Sequence, residues 1–196
     1  AILILADDCE RKIIQAVTEA TKILVEGGIH EYAEARNINV NEEYILDVIH
    51  RKTSSLISVS VRLGGVLANA TEQQETAIIS FGDDFGMAFQ LMDDALDYDS
   101  DESVLGKPVG TDFKEGHVTL PLHHLYSNAN RSLRKEIEGF IKNENITEKD
   151  LQYIIGKMHE HKSIDYTVHL ARFYIDRAKS HLKKTDFPAP QYIEYF

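Results

Sequence analysis

The chain has 196 residues and a formal net charge of −11, from 21 Lys+Arg against 32 Asp+Glu. Hydrophobic residues make up 43% and charged residues 27%, with only 11 Gly and 4 Pro, which excludes disorder and low-complexity fibres. The length predicts a single domain over residues 1–196, with room for a real core, and the acidic balance disfavours non-specific binding to nucleic acid or an anionic membrane. The lone Cys9 cannot form an internal disulfide, so a reducing, cytoplasmic setting is expected. The opening run Ala1–Ala6 ends at Asp7-Asp8 without a basic flank, unlike a signal peptide. No stretch approaches the roughly 18 apolar residues of a spanning helix.

Helical periodicity runs almost throughout. Ile13, Ile14, Ala16, Val17, Ala20, Ile23, Leu24 and Ala33 recur at three-to-four spacing between charges. This predicts a first helix from about Cys9 to Tyr32, with Gly27-Gly28 as its weak point. Asn41 before Glu42 and Glu43 reads as an N-cap with an acidic first turn. A second helix is expected from Glu42 to Leu67. Thr71 caps a third, with Gln74 at the reciprocal position of a capping box. That helix is apolar on most faces, from Ala77 to Leu96, which predicts a place in the middle of a bundle. Its Gly82 and Gly86 would let another helix or a ligand approach closely. Ser100–Gly116 reads as a loop. Helices are expected again at His117–Tyr126, Ser132–Lys142, Thr147–His159 and Ser163–Lys184, with a break at Asp186–Pro190. The architecture is all-α, a multi-helix bundle.

The chemistry concentrates at Asp93-Asp94-Ala95-Leu96-Asp97, at the end of the most apolar helix. At about 100° per residue, Asp93 and Asp97 lie one turn apart on one face, about 40° from each other. Three carboxylates crowding a helix built for burial repel one another and are costly without a partner. A bound divalent cation removes both problems, and hard oxygen ligands suit Mg²⁺. The alternative is a solvated acidic helix end. Two neighbours weigh against it, the first being Phe89-Gln90-Leu91-Met92, which makes the carboxylates follow a buried helix and not a surface one. The loop that follows carries Gly106-Lys107-Pro108-Val109-Gly110, a glycine-flanked lysine suited to take a phosphate oxygen as a mobile point charge. Upstream, Lys52-Thr53-Ser54-Ser55 is poor helix chemistry in mid-helix. Its hydroxyls either back-bond to the helix or face a polar cavity beside Lys52.

Taken together these segments resemble the trans-isoprenyl diphosphate synthases, in particular the long-chain polyprenyl type (octaprenyl diphosphate synthase-like). Lys52-Thr53-Ser54-Ser55-Leu56 looks like that family's K-T-x-x-L segment, and Phe85–Tyr98 like its second aspartate-rich motif. Gly106–Pro121 looks like its lysine loop with the following helix start, and Val25-Glu26-Gly27 fits its helix upstream. The match covers residues 1–126 well, and Ser127–Phe196 in helical character only.

The resemblance implies the isoprenoid-synthase bundle and a prenyltransferase. Asp93, Asp94 and Asp97 would hold Mg²⁺ against the diphosphate of an allylic substrate, with Lys52, Thr53 and Lys107 binding that diphosphate. The carbon–oxygen bond ionises, with the departing charge stabilised by metal and lysines. Gln90 and backbone carbonyls near Lys52-Thr53 would stabilise the allylic cation, which isopentenyl diphosphate attacks. The product chain would lie along the apolar bundle interior, and family members are usually homodimers. The family's first aspartate-rich motif and its isopentenyl-binding basic residues fall before the K-T segment and are not in this sequence. The expectation is therefore a partial synthase domain, with a non-catalytic regulatory subunit of a heteromeric synthase as the alternative. His117 stands where a second loop lysine is usual, and binds phosphate when protonated. Gly28 and Glu31 stand where Glu and Gln are common.

The remaining features read as bland. The nine histidines show no zinc spacing and are expected at the surface. Asp83-Asp84 fall on another face from Asp93 and are expected in solvent. Cys9 has no catalytic neighbour, and Tyr192, Tyr195 and Phe196 are expected to pack on the bundle or on a partner.

Overall fold

The computed structural model describes residues 11–99, 109–143 and 145–188, and every regular element among them is helical. In chain order these are α1 (Arg11–Ala33), α2 (Glu42–Ile49), a π-helical turn π1 (His50–Ser54), α3 (Ser55–Leu67) and α4 (Glu72–Asp99). There follow α5 (Thr111–Glu115), α6 (Leu120–Asn128), α7 (Arg131–Lys142), α8 (Glu148–Glu160) and α9 (Ser163–Lys183). The all-α reading holds. No helix among the described residues is long and apolar enough to cross a membrane. Lys107, Asp7, Asp8, Cys9, Tyr192, Tyr195 and Phe196 lie outside the described residues.

Side chains set the helix starts where the pattern predicts. Asn41 Oδ1 accepts from the Tyr44 N–H at 2.8 Å. The Thr71 N–H donates to Gln74 Oε1 at 2.9 Å and the Gln74 N–H to Thr71 Oγ1 at 3.3 Å, a complete capping box. Thr147 and Asp150 form another, and Asn130 Oδ1 accepts from Ser132 and Leu133. Each such cap is worth about 1 kcal/mol. The glycine pair does not interrupt α1, which runs unbroken for 23 residues. Two boundaries differ from the pattern. The stretch read as a loop contains α5, and α6 starts at Leu120 because Thr119 is extended, at φ −78° and ψ 167°.

The described residues cluster into two compact units. One comprises residues 11–29, 48–88 and 172–188; the other comprises residues 30–47, 89–99, 109–143 and 145–171.

The first unit has thin apolar clusters. Ala16 and Ala20 of α1 meet Val59, with Leu63 beside them. Phe81 of α4 meets Ala178 and Leu182 of α9, flanked by Val61, Phe85 and Phe187. Charged side chains supply much of the remaining joinery. Glu75 accepts from Lys12 Nζ at 2.9 Å and Arg62 Nε at 2.7 Å, and those two bonds hold its carboxyl below the usual range. Asp84 is only 5% exposed. Arg177 Nε and Nη2 donate to its two oxygens, and His181 Nε2 lies 3.0 Å from Oδ2. The expectation of a solvated Asp84 is thus corrected: Arg177 and His181, one turn apart on α9, both converge on it.

The second unit has one continuous core. Phe113 of α5, Leu122 and Leu125 of α6, Ile137 of α7, and Leu151, Ile154 and Met158 of α8 are fully buried within it. The four-residue spacing of Leu133, Ile137 and Ile141 gives α7 its buried stripe. Gly110 sits at φ +69°, and a Cβ there would lie 2.3 Å from Leu151 Cδ1, so backbone and packing both require glycine.

Candidate functional site

The carboxylates sit on the last turns of α4, in the second unit. Asp94 is 5% exposed and Asp97 fully buried, while Asp93 is only partly buried. The acidic segment is therefore no solvated helix end. Gln90 Nε2 donates to Asp94 Oδ1 at 2.8 Å across one helical turn. The Asp112 N–H, in the first turn of α5, donates to Asp97 Oδ2 at 3.2 Å, and the Gly110 N–H donates to the Asp97 carbonyl at 2.8 Å. α5 thus folds back onto the end of α4 and satisfies a buried carboxylate with backbone donors. Tyr98, next in sequence, is 2% exposed and its hydroxyl pairs with Thr119 Oγ1 at 3.1 Å. Burial pushes that phenol well above its ordinary pKa, so it stays neutral. Among the described residues no three His, Cys, Asp or Glu side chains gather into a group that would hold a metal ion.

The apolar character of α4 is not all spent on burial. Leu91 and Ala95 are enclosed, but Phe89 is 57% and Leu96 39% exposed, seven residues apart on one face. The expectation that this helix is surrounded is corrected for that face, which is only partly covered.

His117 follows α5. Its Nδ1 is buried, without a hydrogen bond, and 3.6 Å from Glu31 Oε1; its Nε2 is 3.4 Å from Glu115 Oε2.

The Lys52 segment belongs to the first unit, and its awkward composition has a structural counterpart. His50–Ser54 is a π-helical turn, closed by the Ser55 N–H on the His50 carbonyl. Ser55 Oγ back-bonds to the Arg51 carbonyl at 2.7 Å, and Ser54 Oγ crosses to the Asp83 carbonyl of α4 at 2.6 Å. Lys52 is exposed and Thr53 half-buried. Gly82 and Gly86 do admit another helix, as the spacing allowed. A Cβ on Gly82 would lie 2.6 Å from Ser58 Cα, and one on Gly86 2.5 Å from Ser54 Cα. Next to π1 lies an open cavity of about 180 Å³, lined by apolar Ala16, Ala20, Ile23, Val59 and Ile79 and by polar Glu19, His50, Ser55, Ser58, Arg62 and Asp83.

Two histidines expected at the surface are half-buried instead. His124 stacks on Tyr166 with centroids 4.3 Å apart and pairs with Ser163 Oγ at 3.1 Å, while His123 Nδ1 is enclosed. Burial pushes both imidazoles below their ordinary pKa. Tyr166 in turn donates to both oxygens of Glu42, at 2.9 and 3.1 Å. No signal within α6 reveals this, because the partners come from α2 and α9.

The family model described as Polyprenyl synthetase matches residues 1–158, beyond the 1–126 legible from the motifs. An octaprenyl diphosphate synthase from Haemophilus influenzae is 36% identical over 165 residues, covering 82% of this chain and 49% of the relative. The Bacillus subtilis protein named heptaprenyl diphosphate synthase component 2 is 35% identical, over 78% of this chain and 42% of its own length. A crystal structure of a polyprenyl synthase from Caulobacter crescentus, complexed with calcium and isoprenyl diphosphate, superposes with a TM-score of 0.89 at 30% identity. It covers 94% of this chain and 56% of that one. The chain spans about half the length of the curated octaprenyl relative it matches. With its helical architecture, buried α4 carboxylates and a family match over most of its length, the chain belongs to the polyprenyl synthetase family.

Proposed function

We propose that this chain carries the diphosphate-ionising half of a prenyltransferase that condenses isopentenyl diphosphate with an allylic diphosphate to give a polyprenyl diphosphate. The observation that carries this reading is the burial of Asp94 and Asp97 on α4, each oriented by a fixed donor from Gln90 or Asp112. Because no three His, Cys, Asp or Glu side chains among the described residues form a ready metal group, Mg²⁺ would be held by one or two of Asp93, Asp94 and Asp97 together with phosphate oxygens and water. When bound, that ion neutralises charge on the departing diphosphate. The calcium and isoprenyl diphosphate in the Caulobacter relative's structure support this choice of ligand class.

The chain's own groups have separate tasks. Lys52, Lys107 and, when protonated, His117 donate to diphosphate oxygens, and the Thr53 hydroxyl adds a hydrogen bond. Gln90 holds Asp94 in register through Nε2, and its carbonyl oxygen is the dipole assigned to the allylic cation. The working form is a cytoplasmic homodimer.

The test is Mg²⁺-dependent incorporation of radiolabelled isopentenyl diphosphate onto an allylic primer, using the full polypeptide that contains this chain. Asp93→Ala is expected to lower turnover by at least a hundredfold, a loss of roughly 3 kcal/mol of transition-state stabilisation. Undiminished turnover would show that the metal is held elsewhere. A second reading, as one component of a heteromeric synthase, is favoured by the name of the Bacillus relative. It predicts incorporation only after a second chain is added.

A further inference from the structure

The π turn is held from two sides by glycines. A Cβ on Gly86 of α4 would stand 2.5 Å from Ser54 Cα and 2.9 Å from Ser54 Cβ. A Cβ on Gly27 of α1 would stand 2.6 Å from Arg51 Cβ and 3.0 Å from the Lys52 nitrogen. Both neighbours therefore approach the backbone of His50–Ser54 more closely than any other residue type permits. The fully buried Ser54 adds a hydrogen bond to the Asp83 carbonyl. A π turn inserts one extra residue into the helical circuit, so it resets the direction in which residues within and after it project. Such turns are poor in isolation and persist where tertiary contacts impose them.

We propose that Gly27 and Gly86 are positioning residues for Lys52. By clamping the π turn they fix the direction of the Lys52 ammonium and the Thr53 hydroxyl toward a bound diphosphate. This rests on the reading of Lys52 as a diphosphate ligand. The same helix supplies a matched control. Gly82 lies one turn before Gly86, and a Cβ there would meet Ser58 Cα and Val61 Cγ2, both at 2.6 Å. That clash is as severe, but it falls on the regular α3 helix and not on π1.

The test compares Gly27→Ala, Gly82→Ala and Gly86→Ala in the full polypeptide, by thermal melting and by calorimetric titration with magnesium pyrophosphate. Gly82→Ala and Gly86→Ala are expected to lower the melting temperature alike. Gly27→Ala and Gly86→Ala are expected to weaken pyrophosphate binding at least tenfold, with Gly82→Ala within twofold of the parent. Lys52→Ala should cost little more in the Gly86→Ala background, because two changes that disable one interaction are not additive. Ser54→Ala, which introduces no clash, covers the case in which Gly86→Ala fails to fold, and should weaken binding about threefold. Equal binding by Gly82→Ala and Gly86→Ala, or a full Lys52→Ala loss in both backgrounds, overturns the clamp while leaving the diphosphate reading standing. A parent protein that does not bind magnesium pyrophosphate overturns both.

Discussion

The two units solve the same packing problem with different materials. In the second, Phe113, Leu122, Ile137, Leu151 and Met158 interlock in a core from which solvent is absent. In the first, the apolar clusters rest on alanines and a few aromatics, glycines bring backbones into contact, and Glu75 and Asp84 are tied by cations. Large side chains give stability that is spread over many contacts. Close backbone approach and charge-assisted bonds give placement, with less energy and fewer tolerated exchanges. The unit that holds the π turn is the one built for placement.

Four perturbations would break or sharpen that contrast. The largest effect is expected in the second unit, where Leu151→Ala should cost about 3–4 kcal/mol by denaturant unfolding, from lost transfer energy and the residual cavity. A loss under about 1 kcal/mol would mean that this core is loosely filled. In the first unit, Arg177→Ala strands the buried Asp84 with His181 alone and should cost about 2 kcal/mol, since Arg177 is itself half-exposed. Asp84→Asn should cost less, because it removes the buried charge together with its partner's demand.

The smallest and most diagnostic effect is with pH. His123 and His124 have lowered folded pKa values, so the unfolded chain takes up their protons first. Their contribution is complete above 6.5 and fades as pH falls below it through the folded values. Glu75 also has a lowered folded pKa, and its contribution is present above 4.5 and fades below that. Hydrogen exchange followed down in pH should therefore register weakening first in the second unit and later in the first. His124→Gln should flatten the earlier phase, and a reversed order would show that these histidines are not the groups that titrate.

Much of this was legible in the sequence, for identifiable reasons. Caps such as Asn41 and Thr71 are local, so three residues suffice to read them. The face shared by Asp93 and Asp97 follows from helical geometry alone. The composition of Thr53-Ser54-Ser55 marks a disturbance but not its form, because the π turn depends on Gly27 and Gly86, which are distant in sequence. The burial of Asp97 was hidden because its donor lies in a segment with the glycines and charges of a loop. Asp84 was misplaced because its partners are more than ninety residues away. Propensity and spacing carry short-range information, and these three cases are settled by long-range contact.

The Asp84 tie also bears on where this protein can be trimmed. Recognition by the family model ends at residue 158, and α9 begins only at Ser163. A polypeptide shortened to the recognised stretch would lose both cations that answer Asp84, and would strip the apolar cover from Phe81. The end of the family model is therefore not a limit of folding, and the last helix is as much a part of the scaffold as the motifs by which the family is known.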